Sequence, residues 1–157
     1  MLTTRVDLSF EVHKLAKFSS NPGKLHCEGL VHLLIYIRDN TNVVLTYYSD
    51  IKYAPLFDLL RRSNIKTKNQ LMVLYDSSFQ DYIDTVRSTG AYIIFYQGGP
   101  IDYGTHDTGP VAQSIAEIGY STACNSGMAL AHFRMLIHEL FNKDPDSSIG
   151  IISNYIG

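Results

Sequence analysis

The sequence predicts an α/β fold: a three-stranded antiparallel sheet with one long helix packed across it, preceded by a helical hairpin. Three observations carry that prediction. Apolar runs at Leu71–Tyr75, Gly90–Tyr96 and Ile101–Thr105 are separated by polar, turn-forming stretches, and short connections join strands antiparallel. From Ser114 the pattern changes to a 3.6-residue period that holds as far as Leu140, the mark of a long amphipathic helix. Ahead of the sheet, two helical patterns flank an interruption at Ser19-Ser20-Asn21-Pro22.

The bulk numbers fit this reading. With 157 residues, 45% hydrophobic and 18% charged, the chain has the composition of an ordinary globular protein and enough length for one domain or one domain plus an appendage. We divide it into 1–49, a helical hairpin plus a strand; 50–70, a linker; and 71–157, the sheet and its long helix. No apolar run approaches the roughly 20 residues of a membrane span, and MLTTRVDLSFEV lacks the apolar core of a signal peptide. Cys27 and Cys124 show no framework spacing, so a reducing, intracellular location (cytoplasmic or nuclear), with no membrane partner, is expected. Charge is uneven: residues 1–69 hold ten Lys/Arg against six Asp/Glu, and residues 70–157 hold three against nine. Affinity for nucleic acid scales with the phosphates that Lys and Arg neutralise. Any such contact should therefore come from the first half and be weak.

In order, the first helix runs from Leu8 to about Phe18, with Leu8, Val12 and Leu15 on one face. Asn21 as N-cap and Pro22 as first helical residue open a second helix to about Arg38, which should bury Leu25, Leu30, Leu33, Leu34 and Ile37. Asp39-Asn40-Thr41-Asn42 ends it, and the β-branched and aromatic run Val43–Tyr48 predicts a strand. Ala54–Arg62 predicts a short helix, followed by a basic cluster of Arg61, Arg62, Lys66 and Lys68. The strand Leu71–Tyr75 delivers a lone carboxylate, Asp76, at its end. Asp81–Ser88 and Gln97-Gly98-Gly99-Pro100 are turns by composition. The long helix opens on Ser114-Ile115-Ala116-Glu117, a capping box. Its face is traced by Ile115, Gly119, Ala123, Ser126, Leu130, Phe133, Ile137 and Leu140. Gly119 and Gly127 inside it cost about 1 kcal/mol each against Ala. After the loop Asn142–Ser148, the run Ile149–Ile152 predicts a fourth strand, parallel to Leu71–Tyr75.

Other chemistry is poorly supported. His26/His32 and His132/His138 are each six apart, on different helix faces, and no His-x3-His or Cys-x2-Cys spacing occurs, which argues against zinc. Gln97-Gly98-Gly99-Pro100 lacks the following Lys and the strand-to-helix context of a phosphate loop. His106 and Asp107 read as a hairpin end or cap. Ser77 and Ser78 have no His near them in sequence to make a hydrolase triad.

Four stretches, in order, resemble the end of a copia-type retrotransposon polyprotein, where reverse transcriptase hands over to ribonuclease H. Arg5-Val-Asp-Leu-Ser-Phe-Glu-Val-His-Lys-Leu-Ala-Lys-Phe resembles that family's RPDISFAVNKLAKF, and Asn21-Pro22, His26 and Ile35-Tyr36-Ile37-Arg38 continue it. Tyr75-Asp76-Ser77-Ser78-Phe79 resembles SDADW. Arg87-Ser88-Thr89-Gly90-Ala91-Tyr92 resembles RSTSGY. Ser114-Ile115-Ala116-Glu117-Ile118-Gly119-Tyr120 resembles SSAEAEY.

The resemblance implies a ribonuclease H-like fold in which four carboxylates hold two Mg²⁺ or Mn²⁺ ions that cleave the RNA of an RNA–DNA hybrid. It assigns the first carboxylate to Asp76. The second falls on Gly119, so that ligand is lost; Glu117, about 200° around the helix, faces away. The third falls on Ser153 or Asn154, neither of them charged, and the fourth lies past residue 157. The polymerase aspartates lie upstream in the family. The expectation is therefore a degenerate, truncated reverse transcriptase/ribonuclease H fragment without catalysis and without a resident cofactor. Asp76 would be a remnant weak metal ligand, and Lys14, Lys17, Arg61, Arg62, Lys66 and Lys68 would make backbone contacts to a hybrid. Two alternatives stand beside it. One is a working metal-dependent nuclease completed in trans or by Asp81 or Asp84. The other is a protein–protein module that self-associates through an exposed sheet edge.

Overall fold

The computed structural model of the chain describes residues 5–48, 58, 71–78, 88–107, 114–142, 145 and 151–153. The chain divides into two compact units, Met1–Leu45 and Thr46–Gly157.

The first unit is a helical hairpin. A single 3-10 turn, Val6–Leu8, leads into α1, Ser9–Ala16, and α2 spans Lys24–Asp39. Arg5 and Tyr36 hold the turn in place from two sides. The Arg5 guanidinium donates to both oxygens of Asp7, at 3.0 Å from Nε and 2.8 Å from Nη2. The Tyr36 hydroxyl donates to Asp7 Oδ2 at 3.1 Å. That fork holds the Asp7 carboxyl below the usual value of 3.8, with the Arg5 hydrogen bond the largest cause.

Two expectations for α2 are corrected. The helix starts at Lys24, with Gly23 rather than Asn21 as its N-cap. The amide of Asn21 still bonds back to the Phe18 carbonyl, so Asn21 belongs to the preceding turn. The face assigned to a core is largely open: Leu25 is 78% exposed, Leu34 57% and Leu30 48%, while Leu33 and Ile37 are half-buried. A two-helix hairpin has one seam, and it covers only the residues that face α1. The strand expected at Val43–Tyr48 is also absent: these residues are in no ladder. Strand formation needs a pairing neighbour as well as β-branched residues. Tyr47 instead donates its hydroxyl to the Pro100 carbonyl at 2.9 Å and lays its ring against Gly99. The helix predicted at Ala54–Arg62 lies outside the described residues except for Asp58, which is helical.

The second unit is the α/β fold that the sequence predicts, and it is compatible with a ribonuclease H-like domain. β1 (Leu71–Ser78), β2 (Thr89–Tyr96) and β3 (Gly99–Asp107) form an antiparallel meander. β4 (Ile151–Ser153) adds parallel to β1, giving the order β3-β2-β1-β4. The β2–β3 turn is the two residues Gln97-Gly98, with φ of 50° and 83°, the left-handed pair that matches sheet twist in a tight hairpin. Gly99 and Pro100 therefore belong to β3. Ile94 pairs with Asp102 and Phe95 with Pro100, so Ile101 is the extra residue of a bulge.

Across the sheet lies α3, Ile115–Phe141. Ser114 caps it, its Oγ accepting the Glu117 amide at 3.2 Å. Asn142 closes it in the left-handed conformation, its amide bonded to the His138 carbonyl. The core is Leu71, Val73, Ile94, Leu130 and Ile137, with Tyr92, Tyr96, Ile101, Ala129 and Phe133 packed on it. Each fully buried aliphatic side chain contributes about 1.5–3 kcal/mol. From Ser126 onward α3 buries residues of the predicted face, Ser126, Leu130 and Ile137. In its first half the buried residues are Ile118 and Thr122 rather than Ile115, Gly119 and Ala123. The cause is Gly90 in β2, which presents no side chain and lets Thr122 seat against the sheet. Leu140 at the far end is 66% exposed.

Candidate functional site

The site implied by the sequence centres on the C-terminal end of β1. Asp76 is exposed there and accepts a hydrogen bond from the Ser77 amide at 2.8 Å through Oδ1. The ladder with β2 runs unbroken from Leu71↔Tyr96 to Ser78↔Thr89, so strand alternation fixes the faces. Val73 is in the core with α3, and Ser77 is paired with Gly90, which abuts Thr122 of α3. Those odd positions share the α3 face. Met72, Leu74, Asp76 and Ser78 share the other.

Gly119 lies in the first third of α3, half-buried, one residue after the buried Ile118. A β-carbon built there meets no described neighbour within 4 Å. Among the described residues, a side chain at that position meets no steric obstacle at its β-carbon. Glu117 is exposed, on the cap turn of the helix. β4 reaches Ser153, which pairs with Tyr75, so the described ladder stops one residue short of Asp76. Asn154 lies outside the described residues, as do Asp81, Asp84, Arg61, Arg62, Lys66 and Lys68. Lys14, on α1, holds its ammonium 5.7 Å from the Phe10 ring centroid, and Lys17 is the C-cap of α1. Among the described residues no group of three or more His, Cys, Asp or Glu side chains could hold a metal ion. The described arrangement at the end of β1 thus offers one exposed carboxylate with one oxygen already engaged. No described helix is long and apolar enough to cross a membrane.

A second polar cluster was not legible as such in the sequence. His106, on β3 opposite Gly90, places Nε2 3.0 Å from Asn125 Nδ2 on α3. Thr122 beside it is fully buried with an unpartnered hydroxyl. On the same face, Tyr92 donates to Asp102 Oδ2 at 3.3 Å, and burial, followed by the Asp102 charge, pushes its phenol above the usual 10.0. The signal that could have found these pairs is strand parity carried across both hairpins from Val73, which puts Gly90, Tyr92, Asp102 and His106 on the helix face.

No protein-family model matches the chain. Over 140 residues it is 26% identical to a retrovirus-related Pol polyprotein from transposon TNT 1-94 of tobacco, Nicotiana tabacum; the match takes in 89% of this chain and 9% of the polyprotein. The chain therefore spans less than a tenth of the length of that relative. The likeness is to part of a retrotransposon Pol polyprotein and supports a retroelement origin of the chain.

Proposed function

We propose that this chain derives from the junction of reverse transcriptase and ribonuclease H in a copia-type retrotransposon, and that it keeps the fold of the nuclease while having lost its two-metal chemistry. One observation carries the reading: the likeness to a Pol polyprotein runs through 89% of the chain, and the part resembling ribonuclease H forms an antiparallel meander with a Ser114-capped helix and a parallel fourth strand. The inactivity follows from charge. A two-metal site brackets a phosphodiester between ions roughly 3.5–4 Å apart, and each ion takes about six ligands. Asp76 supplies one charge; Gly119, Ser153 and Asn154 supply none. Mg²⁺ sheds water reluctantly, so a single exposed carboxylate holds it weakly. The ancestral substrate, an RNA–DNA hybrid, keeps at most backbone contacts from Lys14, Lys17 and the basic cluster at Arg61, Arg62, Lys66 and Lys68.

The test is cleavage of a labelled RNA–DNA hybrid with Mg²⁺ and with Mn²⁺, by the wild type and by Asp76→Asn. The expected result is no cleavage by either. Wild-type cleavage that Asp76→Asn abolishes would overturn the inactive reading in favour of a nuclease completed by other ligands. A second reading, a module that pairs with a second copy, is favoured by β3, a nine-residue strand at the edge of the described sheet. A mass that does not change with concentration rules it out.

A further inference from the structure

We infer that His26 is a proton-sensitive cap that sets the start of α2. The imidazole Nδ1 accepts the Gly23 amide at 2.9 Å. The Gly23 carbonyl in turn accepts the amides of His26 and Cys27 at 3.0 and 3.2 Å. Gly23 has no side chain to offer, so the cap depends on the imidazole at the third helical position, where Glu or Gln ordinarily reaches back. An imidazole can accept at Nδ1 only while that nitrogen is bare, which fixes the neutral Nε2–H tautomer. The ring is also clamped from the other side: it stacks on Phe18 with centroids 3.8 Å apart and planes 12° apart. Phe18 closes the turn that follows α1, its amide bonded to the Leu15 carbonyl. One ring therefore joins the end of α1 to the beginning of α2.

Protonation adds a hydrogen to Nδ1, and the two N–H groups then face each other. The Gly23 amide loses its acceptor, and a positive charge appears in the first turn of a helix, where the partial charge of the unpaired amides is already positive. The surroundings offer little compensation. Ring and turn line an apolar groove of about 430 Å³ between α1 and α2. From α1 its lining residues are Val12, Leu15 and Ala16, from the turn Phe18, Ser19 and Pro22, and from α2 Leu30, Leu33 and Cys27. Of these only Cys27 carries an ionisable side chain. On the helix itself Lys24 and Glu28 lie 3.8 Å apart and offset each other. Stacking on Phe18 retains some attraction for the cation but cannot restore the acceptor. As His26 takes up a proton, α2 loses its first turn and the wall of the groove formed by Phe18 and His26 loosens.

The experiment is NMR on the full chain from about pH 5 to 8, the span over which imidazoles in general change charge. It follows the His26 ring nitrogens, the Gly23 amide proton, and the exchange protection of the Cys27 and Glu28 amides normalised to the unstructured rate at each pH. In the wild type the Gly23 amide shift is expected to move with the His26 ring midpoint, and protection in the first turn to fall roughly fivefold, the loss of about one cap. His26→Gln keeps an acceptor that does not titrate, so its Gly23 amide should stay flat over the same range. A ring that titrates while the Gly23 amide and first-turn protection stay unchanged overturns the inference. So does a pH step of the same size in His26→Gln, or a neutral tautomer protonated at Nδ1.

Discussion

Gly90 of β2 and Thr122 of α3 meet without a side chain between them. A β-carbon on Gly90 would overlap Thr122 Oγ1 and come within 2.8 Å of His106 Nε2. The closest approach of the long helix to the sheet thus rests on a glycine, and three chain segments share the space it leaves.

Gly90→Ala should therefore destabilise the second unit by about 1–3 kcal/mol, the cost of overpacking a rigid site. Thr122→Ala should be neutral or stabilising, because the hydroxyl it removes is buried without a partner. In urea unfolding of single and double mutants, the loss from Gly90→Ala should be smaller in the Thr122→Ala background. Equal losses in both backgrounds would show that His106, not Thr122, sets the clearance.

Gly119 and Gly127 are the opposite case. Neither has a described neighbour within 4 Å of an added β-carbon, and both lie inside α3. Gly119→Ala and Gly127→Ala should each stabilise by about 1 kcal/mol, with independent effects. Thermal or urea midpoints that fall in either variant contradict this.

Gly119→Glu tests the assignment of the missing ligand. It puts a charge at the position that SSAEAEY fills with Glu, where no described residue lies within 4 Å of an added β-carbon. Strand parity puts Asp76 on the sheet face away from α3, so Mn²⁺ affinity by calorimetry should stay that of the wild type, with no hybrid cleavage. Tighter Mn²⁺ binding would show that position 119 and Asp76 reach one site at the end of β1.

Asp7 gives the first unit a pH dependence of definite sign. Its folded value is held below 3.8 chiefly by Arg5, so it contributes stability above 3.8 that is lost as pH falls through the folded value. In amide exchange of α2, Asp7→Asn should be less protected than wild type at neutral pH. The difference should close at acid pH. A difference that grows on acidification would reverse the sign of the argument.

Much of the fold was written locally. The Ser114 cap, the apolar runs of β1 and β2 and the long helical period of α3 depend on neighbours within a few residues and formed as expected, whereas the expected turn Gln97-Gly98-Gly99-Pro100 shrank to its first two residues. The parallel seat of Ile151–Ser153 beside β1 followed from counting backbone groups that a buried strand must satisfy. What the sequence could not decide depended on distant partners. Val43–Tyr48 has strand composition but is in no ladder, and Tyr47 reaches Pro100 through its side chain instead. Leu25, Leu30 and Leu34 have core composition but, among the described residues, a single partner helix. Thr122 is polar yet fully buried, because Gly90, opposite Ser77, has no side chain to fill that space. Likewise the expectation of carboxylates at Asp76 and at the position of Gly119 came only from the resemblance of short motifs, by residue type and order. The face of the sheet that Asp76 occupies was fixed only when β1, β2 and α3 came together, because side-chain direction in a strand has meaning only relative to what covers it.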